Sequence, residues 1–268
     1  MNEAHLMALP GGMLDVQWLA PERADAPTLV FLHEGLGSIR QWRDFPARLV
    51  AASGCGGVVY SRLGYGRSDP LTLPRPFDYL QQEATGPLPA LLSRLGIAQP
   101  LLVGHSDGGS IALLSAALAP PPGLAAVIAM APHIFVEDVT LEGIRQAHAA
   151  YHAAKPGGLH AGLAKYHGEK TADTFAAWAE TWQRPEFRAW NVEAEMARIR
   201  VPVLALQGRQ DEYATLRQID GIVARLAPGQ GRAVVIEDCG HSPHLQHPDR
   251  VLAALLPFIA EVRSARPA

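Results

Sequence analysis

Leu101-Leu102-Val103-Gly104-His105-Ser106-Asp107-Gly108-Gly109 is the most informative stretch of this 268-residue chain. A short apolar run ends in Gly-x-Ser-x-Gly, and a helix-like run over 110–118 follows at once. That pattern reads as strand, sharp turn and helix, with Ser106 at the apex. A serine so placed sits in a strained turn with its hydroxyl presented outward. Gly104 and Gly108 make the turn feasible, because a side chain at either position would strike the neighbouring strand or helix.

Two further apolar runs end in chemistry-bearing residues. Residues 201–207 lead into Gly208-Arg209-Gln210-Asp211-Glu212, and 233–236 into Glu237-Asp238-Cys239-Gly240-His241. A serine hydroxyl is a poor nucleophile at neutral pH. A neutral imidazole must take its proton during attack and return it to the leaving group, and a buried carboxylate must fix the tautomer of that imidazole. Ser106, Asp211 and His241 each follow an expected strand, so all three can converge at one edge of one sheet. Glu212 is the rival acid on the same loop.

The elbow and the order serine, acid, histidine resemble those of α/β-hydrolases, over almost the whole chain. The subgroup this chain resembles most is the valacyclovirase-like (biphenyl-hydrolase-like) esterases, which share the Ser-Asp-Gly-Gly elbow and a Leu-Gly-Ser ending in the loop after an early strand. Here that strand is 28–32 and the loop is His33-Glu34-Gly35-Leu36-Gly37-Ser38. The resemblance implies an oxyanion hole made by the N–H groups of Gly35 and Asp107. One such donor is worth roughly 3 kcal/mol of barrier. It also implies Asp211 as the acid, by its position on the loop. Many relatives have His-Gly where this chain has His33-Glu34.

Composition excludes several classes. Apolar residues make up 48% and charged residues 18%, so a packed core is affordable. The net charge of −3 gives no reason to expect nucleic acid or an anionic membrane surface. Residues 1–12 lack the features of a signal peptide, and no run approaches the ~18 apolar residues of a transmembrane helix. Cys55 and Cys239 do not make a disulfide framework, so a reducing, cytoplasmic location is the expectation.

Strand-length runs at 16–19, 28–32, 57–60, 101–103, 125–130, 201–206 and 233–236 alternate with helix-like stretches at 41–52, 78–95, 110–118, 216–226 and 250–262. The expectation is an α/β fold, a doubly wound and mostly parallel sheet. Pro87 and Pro89 should kink or break the second helix. Residues 134–200 interrupt the alternation and hold Trp178, Trp182 and Trp190. This stretch is expected to form a helical cap on a core of 1–133 and 201–268, with Trp178, Trp182, His133 and Glu34 as candidate substrate contacts.

Other motifs carry less. Gly64-Tyr65-Gly66 lacks the third glycine and the helix of a dinucleotide site, and reads as a structural loop bordering the pocket. The histidine groups His148/His152 and His241/His244/His247 lack a carboxylate or thiolate complement, so no metal is expected. His105 reads as buried beside the elbow. Cys239 reads as structural.

Asp107 and Glu34 leave two readings open. They attract a substrate cation such as the ammonium of an aminoacyl ester, or they pair with Arg40, Arg62 or Arg67. An unpaired carboxylate beside a forming oxyanion would oppose it.

The expected function is cofactor-free hydrolysis of a small to medium carboxylic ester, aminoacyl esters included, through an acyl-enzyme. The expected partner is the small-molecule ester, with a homodimer left open. The alternatives are a C–C bond hydrolase of meta-cleavage type and a non-catalytic ligand receptor on the same fold.

Overall fold

The computed structural model describes residues 3–153 and 155–265. Residues 1, 2, 154 and 266–268 of the expected core and cap ranges lie outside the described residues.

The chain folds as an α/β hydrolase. Its eight-stranded sheet has the order β1-β2-β4-β3-β5-β6-β7-β8. The strands are β1 (His5–Leu9), β2 (Gly12–Ala20), β3 (Thr28–Leu32), β4 (Gly56–Ser61), β5 (Pro100–His105), β6 (Ala126–Met130), β7 (Val203–Gly208) and β8 (Gly231–Ile236). Pairing is antiparallel between β1 and β2 and between β2 and β4, and parallel from β4 onward.

Alternation of side chains across the pleat divides the core in two. Val30, Leu102, Val127 and Ala205 join one apolar cluster, while Phe31, Val103, Ile128 and Leu206 join the other. Helices cover both faces, which is why the central strands β3, β5 and β6 are buried along their whole length. The helices of the first half are α1 (Phe45–Ser53), α2 (Tyr79–Thr85), α3 (Pro87–Leu95) and α4 (Asp107–Leu118). Residues 107–117 of α4 are all buried, as a helix apolar on every side requires.

Between β6 and β7 lie α5 (Asp138–His152), α6 (Leu159–His167), α7 (Thr171–Gln183) and α8 (Glu193–Met196), with no strand among the described residues of this segment. Its two ends are pinned together. Phe135 bridges Asn191, and Val192 N–H donates to the Ile134 carbonyl at 2.7 Å. The last helices are α9 (Arg217–Arg225), α10 (Pro243–Gln246) and α11 (Pro248–Ser264).

Several boundaries differ from expectation. β1 has no counterpart in the sequence reading: its apolar run, residues 6–9, is only four residues long, and as an edge strand it is mostly exposed, so its partner β2 and not its own pattern defines it. The expected helix over 41–52 is two pieces. A 3₁₀ turn, Ile39–Trp42, ends at Arg43, whose φ of 54° is left-handed, and α1 starts afresh with Pro46 in its first turn. The expected break near Pro87 falls at Gly86, which ends α2 and caps α3.

Candidate active site

The site begins at the turn between β5 and α4. Ser106 has φ 52° and ψ −120°, outside the ordinary regions for a residue with a side chain. Such a conformation costs about 1–3 kcal/mol and persists only where the surroundings over-determine it. Here they do. Ser106 N–H donates to the Met130 carbonyl at 2.9 Å, and the Ser106 carbonyl accepts from Ser110 N–H at 3.0 Å. A side chain on Gly104 would collide with the carbonyl of Gly108, and one on Gly108 with the carbonyl of Leu32. The helix can therefore approach the sheet closely enough to hold the serine at the rim.

His241 Nε2 lies 2.9 Å from Ser106 Oγ, and His241 Nδ1 lies 2.8 Å from Asp211 Oδ1. The three side chains form one hydrogen-bonded line. Asp211 also accepts from the N–H of Tyr213 at 2.9 Å and from Gln207 Nε2 at 3.2 Å. Burial alone would raise its pKa, but the charge and hydrogen bond of His241 and the Tyr213 N–H hold it below the ordinary carboxylate value. Burial penalises the His241 imidazolium; the charge and hydrogen bond of Asp211, with Glu212 and Glu34 beyond, outweigh that and raise its pKa. Glu212 does not touch the imidazole. Its carboxylate accepts the backbone N–H of His241 at 3.0 Å and so holds the loop.

A cleft with about 470 Å³ of open space lies over Ser106. Glu34, Gly35, Asp107, His133, Trp178, Trp182 and His241 all contribute to its wall. Trp178 packs directly on Gly35. Trp182 donates its indole N–H to Tyr79 Oη at 2.8 Å, so its polar end is committed to the protein. His133 is buried, and burial with the nearby His241 pushes its pKa down to about 3, so it stands neutral against the cleft. Leu36, Thr140, Ile144 and Tyr213 also line the cleft; none stood out in the sequence, since only folding brings them there. Tyr213 was the most findable, two residues beyond Asp211.

The two leftover carboxylates have different fates. Asp107 Oδ2 accepts from Tyr79 Oη at 2.7 Å and lies 3.7 Å from Arg62, with all three side chains buried. Of the arginines considered, Arg62 is the partner. Arg67 pairs with Asp15, and Arg40 reaches the carbonyl of Lys165. Asp107 Oδ1 is buried and makes no hydrogen bond. Glu34 keeps its carboxylate at the cleft, 3.5 Å from His105 Nδ1. Arg62 instead grips the backbone of the Glu34 loop, donating to the Glu34 carbonyl at 2.9 Å.

The loop over 64–69 does not line the cleft, contrary to expectation. It packs behind the Glu34 loop, where His167 and Thr174 hold Gly66 and Gly64. His105 and His244 are buried, and burial raises the Cys239 thiol to about 11, where it is inert. His148 and His152 pack against each other with rings tilted by 51° and centroids 4.3 Å apart.

A mostly parallel sheet with a strained serine elbow and a Ser-His-Asp line at its edge defines the α/β hydrolase class. Residues 29–254 match the model of the Alpha/beta hydrolase family, and the chain belongs to that family. Among curated relatives, it is 30% identical over 257 residues to a candidate carbamate hydrolase, RutD, of Pseudomonas savastanoi pv. phaseolicola, spanning 89% of this chain and 95% of that one. It is 26% identical to the 2-succinyl-6-hydroxy-2,4-cyclohexadiene-1-carboxylate synthase of Serratia proteamaculans, spanning 92% and 98%. Among solved structures, the enol-lactonase of Burkholderia xenovorans superposes with a TM-score of 0.75 at 19% identity, covering 96% of this chain and 100% of that one. At that identity the likeness concerns the fold. No helix among the described residues is long and apolar enough to cross a membrane.

Proposed function

We propose that this chain is a serine hydrolase that cleaves small to medium carboxylic esters through an acyl-enzyme. The observation that carries this reading is the line Asp211–His241–Ser106, with both contacts under 3 Å, at the floor of a cleft. Ser106 Oγ attacks the ester carbonyl as His241 Nε2 takes its proton. Asp211 holds the other ring nitrogen and stabilises the imidazolium. The N–H groups of Gly35 and Asp107 receive the developing oxyanion. His241 then passes the proton to the departing alcohol, and water, deprotonated by the same imidazole, releases the acid.

Residues 134–200 act as the cap, with Trp178 and Trp182 as the apolar wall that receives the acyl or alcohol group. Within the family we place the chain nearest the valacyclovirase-like esterases. Asp107 is buried against Tyr79 and Arg62, so an aminoacyl preference rests on Glu34, whose carboxylate stays at the cleft. The test compares kcat/KM for aminoacyl and plain acyl esters of one alcohol, with Ser106→Ala as control. Equal values remove the aminoacyl preference, and no turnover of any ester removes the esterase reading.

A second reading is favoured by one observation: a curated relative aligned over nearly its whole length is named a synthase, so family membership does not fix the reaction. Turnover of ring-fission diketones without turnover of p-nitrophenyl esters would select C–C bond hydrolysis. Failure of a fluorophosphonate probe to label Ser106 would select a receptor.

A further inference from the structure

We propose that Glu34 and a doubly protonated His105 form an ion pair that ties the Glu34 loop, the serine elbow and the His241 loop together and cancels the negative charge beside the oxyanion hole. The assignment follows from hydrogen-bond bookkeeping. His105 Nε2 lies 2.7 Å from the backbone carbonyl of His241. A carbonyl only accepts, so Nε2 carries a proton and donates. The other ring nitrogen, Nδ1, is buried, makes no hydrogen bond, and has Glu34 Oε2 as its charged neighbour at 3.5 Å. A neutral ring in this tautomer would aim a lone pair at a carboxylate. A proton on Nδ1 turns that repulsion into attraction.

The surroundings are consistent with this. Burial would raise the Glu34 pKa, yet the nearby His105 and Arg62 charges and its own backbone N–H leave it below the ordinary carboxylate value. The titratable and charged groups around the pair are His241 and His244, with ring centroids 5.2 and 4.6 Å from His105, His133, and Arg62 and His167 near Glu34. Burial holds His244 well below its ordinary pKa and lowers His167, so neither supplies a competing charge near neutrality. Arg62 is already engaged with the Glu34 carbonyl and Asp107.

Two consequences follow. Glu34 can sit at the cleft beside Gly35 without opposing a forming oxyanion, because the pair is neutral overall. His105, the residue before the nucleophile, becomes a positioning residue, since it fixes the backbone of His241. Both consequences and the kinetic test rest on the ester-hydrolase reading; the protonation state does not.

The direct test is ¹⁵N NMR of histidine side chains in the intact protein at neutral pH, with His105 assigned by His105→Gln. Both ring nitrogens of His105 should carry protons, and Glu34→Gln should leave a proton on Nε2 alone. An unprotonated Nδ1 in the unaltered protein, or a signature unchanged by Glu34→Gln, overturns the proposal. Kinetics supply the second arm. His105→Gln should lower kcat about tenfold or more with little change in KM, because it leaves the Glu34 charge uncompensated near the oxyanion. Adding Glu34→Gln should restore part of that loss. Losses that simply multiply would show a structural role alone and overturn the charge-cancelling one.

Discussion

The Tyr79 hydroxyl donates to Asp107 Oδ2 at 2.7 Å while accepting the indole N–H of Trp182 at 2.8 Å. A residue of α2 thus links the first residue after the nucleophile to α7, in the segment inserted between β6 and β7. Tyr79→Phe would leave a buried carboxylate oxygen and a buried indole N–H without partners. Each such loss costs about 1–3 kcal/mol. Urea denaturation should show an unfolding free energy lowered by that order, and an unchanged one would refute the linkage.

Ser106→Ala and His241→Ala should remove nearly all turnover of p-nitrophenyl esters while leaving the thermal midpoint close to that of the unaltered protein. Asp211→Asn should lower kcat by about 10⁴-fold, as the wrong tautomer is then favoured. Steady-state kinetics on purified variants checks all three.

The acid limb of activity should lie above pH 6.5, the ordinary histidine value. The His241 base must be neutral, and Asp211 holds its pKa high, so activity rises with pH through that raised value. In Asp211→Asn the limb should move to lower pH, because the amide no longer stabilises the imidazolium. A pH profile of kcat/KM reads both.

Stability should fall as pH drops below about 6.5. His133 is buried and neutral with its pKa pushed down to about 3. The unfolded chain binds a proton near 6.5 that the folded one refuses, so acid favours unfolding. His33, His167 and His244, also lowered by burial, act in the same direction. Replacing His133 with Phe should flatten the slope of stability against pH by about one proton between pH 6.5 and 3.

The sequence makes Ser106, Asp211 and His241 legible because each directly follows an apolar run, and parallel strands end at a common edge. The elbow glycines were legible for the same local reason. What could not be read was tertiary. β1 is a mostly exposed edge strand whose four-residue apolar run does not by itself distinguish a strand. The choice of Arg62 over Arg40 and Arg67 as the partner of Asp107 depends on the course of the chain beyond β4, and no short-range pattern encodes that. Tyr79, 28 residues from Asp107, was hidden for the same reason.

The neck formed by Phe135 and Asn191 has an evolutionary consequence. The segment carrying Trp178 and Trp182 leaves the sheet after β6 and returns before the adjacent β7, with its entry and exit stitched side by side. Substitutions within such a segment can reshape the aromatic wall of the cleft while the strand ends bearing Ser106, Asp211 and His241 stay where they are, provided that the Trp182 contact with Tyr79 is kept.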